Sequence, residues 1–218
     1  MIRLFYHECM AYWRGHRAPF LGMGCYLILR LLMGYATQHD PTYATQIIPH
    51  LAFQWIALIT ASLLGLERIW HDDARNHLLL QQKMSPYPLW WFVLLKAKAF
   101  WLMMLLPLII MFGAEQMIAT QSFPLIGLLS LILASFTLSL LLTLAGALTL
   151  GSQNGMPVGL LVLFPFLIPP LTFGLGAQIA VLQQTDPWPA LALLGACTLF
   201  TLIIAPLACF HLLRQQRY

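Results

Sequence analysis

From Leu125 to Leu150 the chain runs for twenty-six residues without a single formal charge. A helix of that length reaches about 39 Å at 1.5 Å per residue. The hydrocarbon core of a bilayer is roughly 30 Å thick. Five further blocks are predominantly apolar and of about the length a bilayer requires, so the expected spans lie near 18–36, 48–66, 93–113, 124–150, 157–181 and 188–210. The short alternating segments of a membrane barrel are not seen, which leaves helices as the way to satisfy the backbone in lipid. With 11 Lys/Arg and 7 Asp/Glu among 218 residues, there is too little charge to clothe a water-soluble domain of this size. The expected fold is an all-α integral membrane protein: one membrane domain over 1–218, with six transmembrane helices and no soluble domain in the short connections.

Orientation follows from Lys and Arg. Arg3, Arg14 and Arg17 precede the first span, Arg68, Arg75, Lys83, Lys96 and Lys98 lie between or beside spans two and three, and Arg214 and Arg217 close the chain. Segments 37–47, 114–123 and 182–187 hold neither residue but do hold Asp40, Glu115 and Asp186. Both termini are therefore expected in the cytoplasm, and the net charge of +4 reports topology rather than affinity for nucleic acid. Cys9, Cys25, Cys197 and Cys209 form no disulfide framework: none falls in an outward loop, and there is no CxxC pair.

Residues 1–17 lack the continuous apolar core of a signal peptide. Ile2, Phe5, Cys9, Tyr12 and Trp13 recur at helical spacing, which predicts an amphipathic helix on the inner leaflet. Within the first span stands Arg30. A charge there is expensive and marks a functional candidate, or else the side chain snorkels to the outer interface. No acidic residue inside the expected spans is an obvious partner.

The fourth span is dense in Ser, Thr and Gly, a composition that favours close helix packing over a polar pathway. The stretch GSQNG at 151–155 predicts a tight turn, with Pro157 in the first turn of the next helix. In the fifth span Pro165, Pro169 and Pro170 predict a kinked or broken helix held away from bulk lipid, a pathway candidate. Pro107 and Pro206 predict milder kinks. His39 and His50 face outward and read as solvated interface residues rather than ligands.

The stretch ERIWHDDARNH, from Glu67 to His77, concentrates Glu67, Arg68, Asp72, Asp73 and Arg75 in a chain that has few charges. Metal ligands on one helix must stand three or four residues apart. Glu67 with His71 and Asp73 with His77 meet that spacing, but the two pairs point to different sides and neither reaches three ligands. A magnesium-dependent phosphotransferase would need further carboxylates, and Glu8 is the only other cytoplasmic acid. Leu66, Trp70, Ala74 and Leu78 step by four along one face, so the segment 67–88 is expected to be a short amphipathic cytoplasmic helix. SPYP ends it, and Trp90 and Trp91 anchor the re-entry. Such an element can dock a soluble motor. No GxxxxGK[ST] loop is present, so any ATPase would be another polypeptide.

The run LLGLERIWHDDARNHLLLQQKMSPYPLWWFVLLKAKAFW resembles the cytochrome c maturation protein B (CcmB) family, the haem exporter B permeases. Leu66, Arg68, Asp72, Asp73, Pro86, Pro88 and Lys96 carry the likeness. A second block, GALTLGSQNGMPVGLLVLFPFLIPPLTFG, is similar to the family's fourth loop and Pro-containing fifth span, and Glu8 and Arg14 agree near the N-terminus. His77 and Leu80 depart from the pattern, where the family often has a small residue and an acid. The resemblance implies the permease subunit of an ATP-binding-cassette complex in the bacterial inner membrane, itself not an enzyme. Its implied partners are the ATPase CcmA, CcmC, CcmD and the haem chaperone CcmE. The complex would couple ATP hydrolysis to haem export or release of the loaded chaperone, serving cytochrome c biogenesis. The chain itself is expected to hold no cofactor or metal, with ATP in the partner and haem as candidate cargo. A homodimer is expected, because six helices, one of them broken, are few to enclose a cargo path and a dimeric ATPase needs two docking surfaces. The alternatives are an exporter permease for a lipid, peptide or drug, an intramembrane enzyme, and a structural scaffold.

Overall fold

The computed structural model describes residues 9–10, 18–39, 47–66, 69–70, 88–120, 125–150 and 155–215. These form α1 (Ala18–His39), α2 (Ile47–Leu63), α3 (Leu89–Phe100), α4 (Leu106–Thr120), α5 (Leu125–Thr149), α6 (Gly155–Leu182) and α7 (Trp188–Gln215). A π turn, Trp101–Leu105, joins α3 to α4 in one rod. Among the described residues there is no strand. The stretches Leu89–Glu115, Leu125–Thr149, Gly159–Leu182 and Trp188–Arg214 are long and apolar enough to cross a membrane, and two shorter apolar stretches, Phe20–Tyr35 and Leu51–Leu63, accompany them. Large apolar side chains also point outward, among them Leu31, Leu125 and Leu161, each at least 73% exposed. An apolar surface of that extent suits lipid rather than water.

The rod α3–α4 runs beyond the expected 93–113 at both ends, and its π turn has a local cause. Pro107 has no N–H for the carbonyl of Met103, and its ring crowds that carbonyl. The turn widens instead. Leu106 N–H reaches back five residues to Trp101 O, while Trp101 N–H is shared between the carbonyls of Ala97 and Lys98.

Helix α5 is the hub, packed against α3, α6, α7 and the π turn. Its small residues permit the approach. A Cβ on Gly159 of α6 would stand 3.1 Å from the Ala145 carbonyl oxygen of α5, so these two backbones nearly touch. The buried hydroxyls of α5 mostly serve its own backbone. Ser130 donates to Gly127 O, Ser135 to Ile132 O, Thr137 to Leu133 O, Ser139 to Phe136 O, Thr143 to Ser139 O and Thr149 to Gly146 O. Two contacts leave the helix: Trp101 Nε1 donates to Ser135 Oγ at 2.9 Å, and Thr137 and Thr198 share a hydrogen bond of 2.9 Å between α5 and α7.

One expectation is corrected here. Helix α6 is not broken at Pro165, Pro169 and Pro170 but continues as one α-helix from Gly155 to Leu182. On the single chain its Leu161, Phe164, Phe166 and Ile168 are exposed. Each proline deletes one ladder bond, and the intact bonds around it hold the helix where no water competes for the freed carbonyls. Thr172 adds a local brace, its hydroxyl within 3.0 Å of the carbonyls of both Ile168 and Pro169.

Helix α6 ends in a tight reversal. Thr185 N–H bonds Ala180 O at 2.9 Å and Gln184 N–H bonds Val181 O at 3.2 Å, with Gln184 at φ 55°. This paired closure uses the left-handed residue just past the helix to satisfy two orphan carbonyls. Asp186 Oδ1 then accepts Trp188 N–H at the start of α7, so α6 and α7 lie antiparallel.

Candidate functional site

Two polar features interrupt the apolar bundle, one toward each end. The first is built on Glu115 of α4. Its Oε2 receives Arg30 Nε of α1 at 3.0 Å, Tyr26 OH of α1 at 3.1 Å and Gln54 Nε2 of α2 at 2.6 Å. Tyr26 and Arg30 stand four residues apart, so one helix face presents both. Tyr26 and Gln54 are buried, whereas the side chains of Arg30 and Glu115 are 30% and 21% exposed. A cation and an anion in apolar surroundings cancel each other's field only when close and fully hydrogen-bonded. Here one carboxylate gathers three donors from two helices. This corrects the expectation that Arg30 lacks an acidic partner: α4 continues to Thr120, which carries Glu115 past the expected end of the span and onto the same helix face as the core.

Beside it, Trp55 of α2 spans to α6. Its Nε1 donates to Gln178 Oε1 at 2.9 Å, and its ring meets Phe112 edge-on with centroids 6.0 Å apart. A Cβ on Gly174 would lie 2.6 Å from Trp55 Cη2. Glycine is what lets α6 come that near. The polar layer thus ties together α1, α2, α4 and α6.

The second feature lies at the opposite end of α5, where Ile69 and Trp70 are both fully buried. Trp70 Nε1 donates to the backbone carbonyl of Thr143 at 2.8 Å. Its ring fills a notch at Gly146, where a Cβ would stand 2.9 Å from Trp70 Cδ1. Lys96 of α3, only 2% exposed, holds its ammonium 5.2 Å from the Trp70 ring centroid and 5.5 Å from that of Phe92. Cation–π attraction of this kind strengthens when the cation is desolvated. Trp90 and Trp91 stack at 4.4 Å beside the start of α3, half in the open.

Of the residues singled out in the sequence, Glu67, Arg68, Asp72, Asp73 and Arg75 lie outside the described residues, as do the side chains of His39 and His50 and most of the N-terminal segment 1–17. Arg30 is drawn into the Glu115 layer. Pro165, Pro169 and Pro170 lie on α6 and join neither polar feature. Tyr26, Gln54 and Gln178 were not picked out by sequence reasoning. Each stands between apolar neighbours in the sequence, a pattern that gives no hint of its partner.

Comparison with known proteins adds a second line. A model of the CcmB protein family matches residues 1–216. Heme exporter protein B of Paracoccus denitrificans is 31% identical over 197 residues, 89% of each chain. The protein of that name from Pseudomonas aeruginosa is 35% identical over 157 residues, covering 71% of this chain and 70% of its own. That from Escherichia coli K12 is 31% identical over 191 residues, 87% and 86% of the two chains.

Proposed function

The chain belongs to the CcmB protein family, and on that premise we propose that it is the membrane-spanning subunit of a haem-export ATP-binding-cassette transporter serving cytochrome c biogenesis. The observation that carries this reading is the family match along nearly the full length, joined to four helices long and apolar enough for a bilayer. In this reading α1, α2, the α3–α4 rod, α5, α6 and α7 are six spans of one domain in the bacterial inner membrane, with both termini in the cytoplasm. Residues 1–17 lie along the inner leaflet. The subunit performs no chemistry itself. ATP is hydrolysed by a separate ATPase, CcmA, and CcmC, CcmD and the haem chaperone CcmE complete the system, with release of the loaded chaperone as its output. Two copies of the chain offer the dimeric ATPase its two docking surfaces.

Segment 67–88 is the coupling element, and Glu67, Arg68, Asp72, Asp73 and Arg75 are its contact residues. Charge pairs four apart on a helix contribute only about 0.2–0.5 kcal/mol each, too little to account for the cluster through stability alone. An interface accounts for it better. Replacing Asp72 and Asp73 together by Ala should leave insertion and protein level near normal while reducing ATPase co-purification in mild detergent, or uncoupling its hydrolysis. If the double variant binds the ATPase and matures cytochrome c as the wild type does, the docking role is wrong.

A further inference from the structure

The residues that lead into the acidic cluster are seated inside the bundle, not resting on it. Trp70 attaches to α5 through a backbone carbonyl, that of Thr143, so the acceptor moves only with α5 itself. Three residues on, one turn along the same face, Gly146 supplies the notch that receives the ring. Lys96 and Phe92 of α3 also stand against the ring, the latter edge-on with centroids 6.1 Å apart. One indole is therefore held by three parts of the chain: the segment after α2, α3, and the helix against which α3, α6 and α7 all pack. Close-packed interiors transmit a displacement instead of absorbing it, and they switch between discrete arrangements instead of deforming gradually.

We propose that Trp70 is the positioning residue that carries movement of the coupling segment into α5, with Gly146 as its socket and Lys96 as the clamp on its ring. This rests on the docking reading above and adds to it the route by which work enters the membrane. Two variants act on the contact without dismantling it. Trp70→Phe keeps an aromatic ring and removes the N–H donor. Gly146→Ala puts a methyl where the ring sits.

The test uses the whole complex purified in mild detergent, measuring assembled ATPase, ATP hydrolysis, and haem-loaded chaperone released per ATP hydrolysed. In each variant, ATPase content and hydrolysis should stay near wild type while release per ATP falls roughly two- to thirty-fold, the range over which packed relays modulate coupling. The double variant should be no worse than Trp70→Phe alone, because both changes act at one contact and effects at a shared contact do not add. Should Gly146→Ala fail to assemble, Lys96→Met, which keeps the stem and removes the charge, takes its place. Unchanged release per ATP in these variants, or a loss only in proportion to assembled complex, would overturn the proposal. The wild-type complex separates the two readings: an ATPase that never co-purifies with the wild-type chain defeats docking itself, whatever the variants do.

Discussion

Arg30 in α1 and Glu115 in α4 stand 3.0 Å apart, which makes the one charge in the apolar stretch of α1 half of a neutral pair. The same carboxylate oxygen takes hydrogen bonds from Tyr26 and Gln54. A lone arginine at that depth would have to reach for water. A paired one can stay among the helices.

Removing either partner should therefore cost more than removing both. Breaking a fully buried pair costs about 3–5 kcal/mol. With the two side chains 30% and 21% exposed, a loss of about 1.5–3 kcal/mol, the range for hydrogen bonds to charged groups, is expected for Arg30→Met or Glu115→Leu. The double variant should recover most of that loss. Thermal unfolding in detergent decides it, and a double variant less stable than either single one would sink the idea.

The contact between Gly174 and Trp55 should tolerate no added methyl. In Gly174→Ala the new Cβ falls 2.6 Å from the indole, and the ring cannot retreat without losing its bond to Gln178. Overpacking of this kind costs about 1–3 kcal/mol. Trp55→Phe should weaken the protein on its own yet reduce the cost of Gly174→Ala when the two are combined. Additive losses would show that the clash is not the cause.

The hydroxyl pair Thr137 and Thr198 crosses between α5 and α7, but each hydroxyl also bonds its own helix. Replacing both by Val, with the single changes completing the cycle, should give a coupling of about 0.6 kcal/mol, the mean for such bonds inside membranes. A coupling several times larger would mean that α7 is held to α5 mainly by this bond.

Topology is testable without purification. A reporter fused after residue 117 or 185 should score as periplasmic, and one fused at Tyr218 as cytoplasmic. A periplasmic score at Tyr218 would reverse the orientation on which the coupling role depends.

The helices were legible because apolar length is a strong local signal: 124–150 anticipates Leu125–Thr149, and 157–181 anticipates Gly155–Leu182. What failed was non-local. Glu115 is the residue at which an apolar window stops, so the rule that finds the span also cut off Arg30's partner. The three prolines of α6 mark missing donors in the sequence, but whether a helix breaks depends on the bonds that remain. Trp70 and Gly146 are linked only by folding. Gly146 reads simply as one small residue among many in a helix rich in them.

The π turn at Trp101–Leu105 works as a phase correction. A helix advances about 100° per residue, so in an unbroken rod Lys96 and Glu115 would stand about 100° apart around the axis. A single π turn accommodates one surplus residue and returns the two to the same side. Lys96, Phe100, Met104, Leu108 and Phe112, all buried, then form one continuous stripe that ends at Glu115. A single proline, by refusing one bond, thus brings the cation beside Trp70 and the anion beside Arg30 into line along one face of the rod.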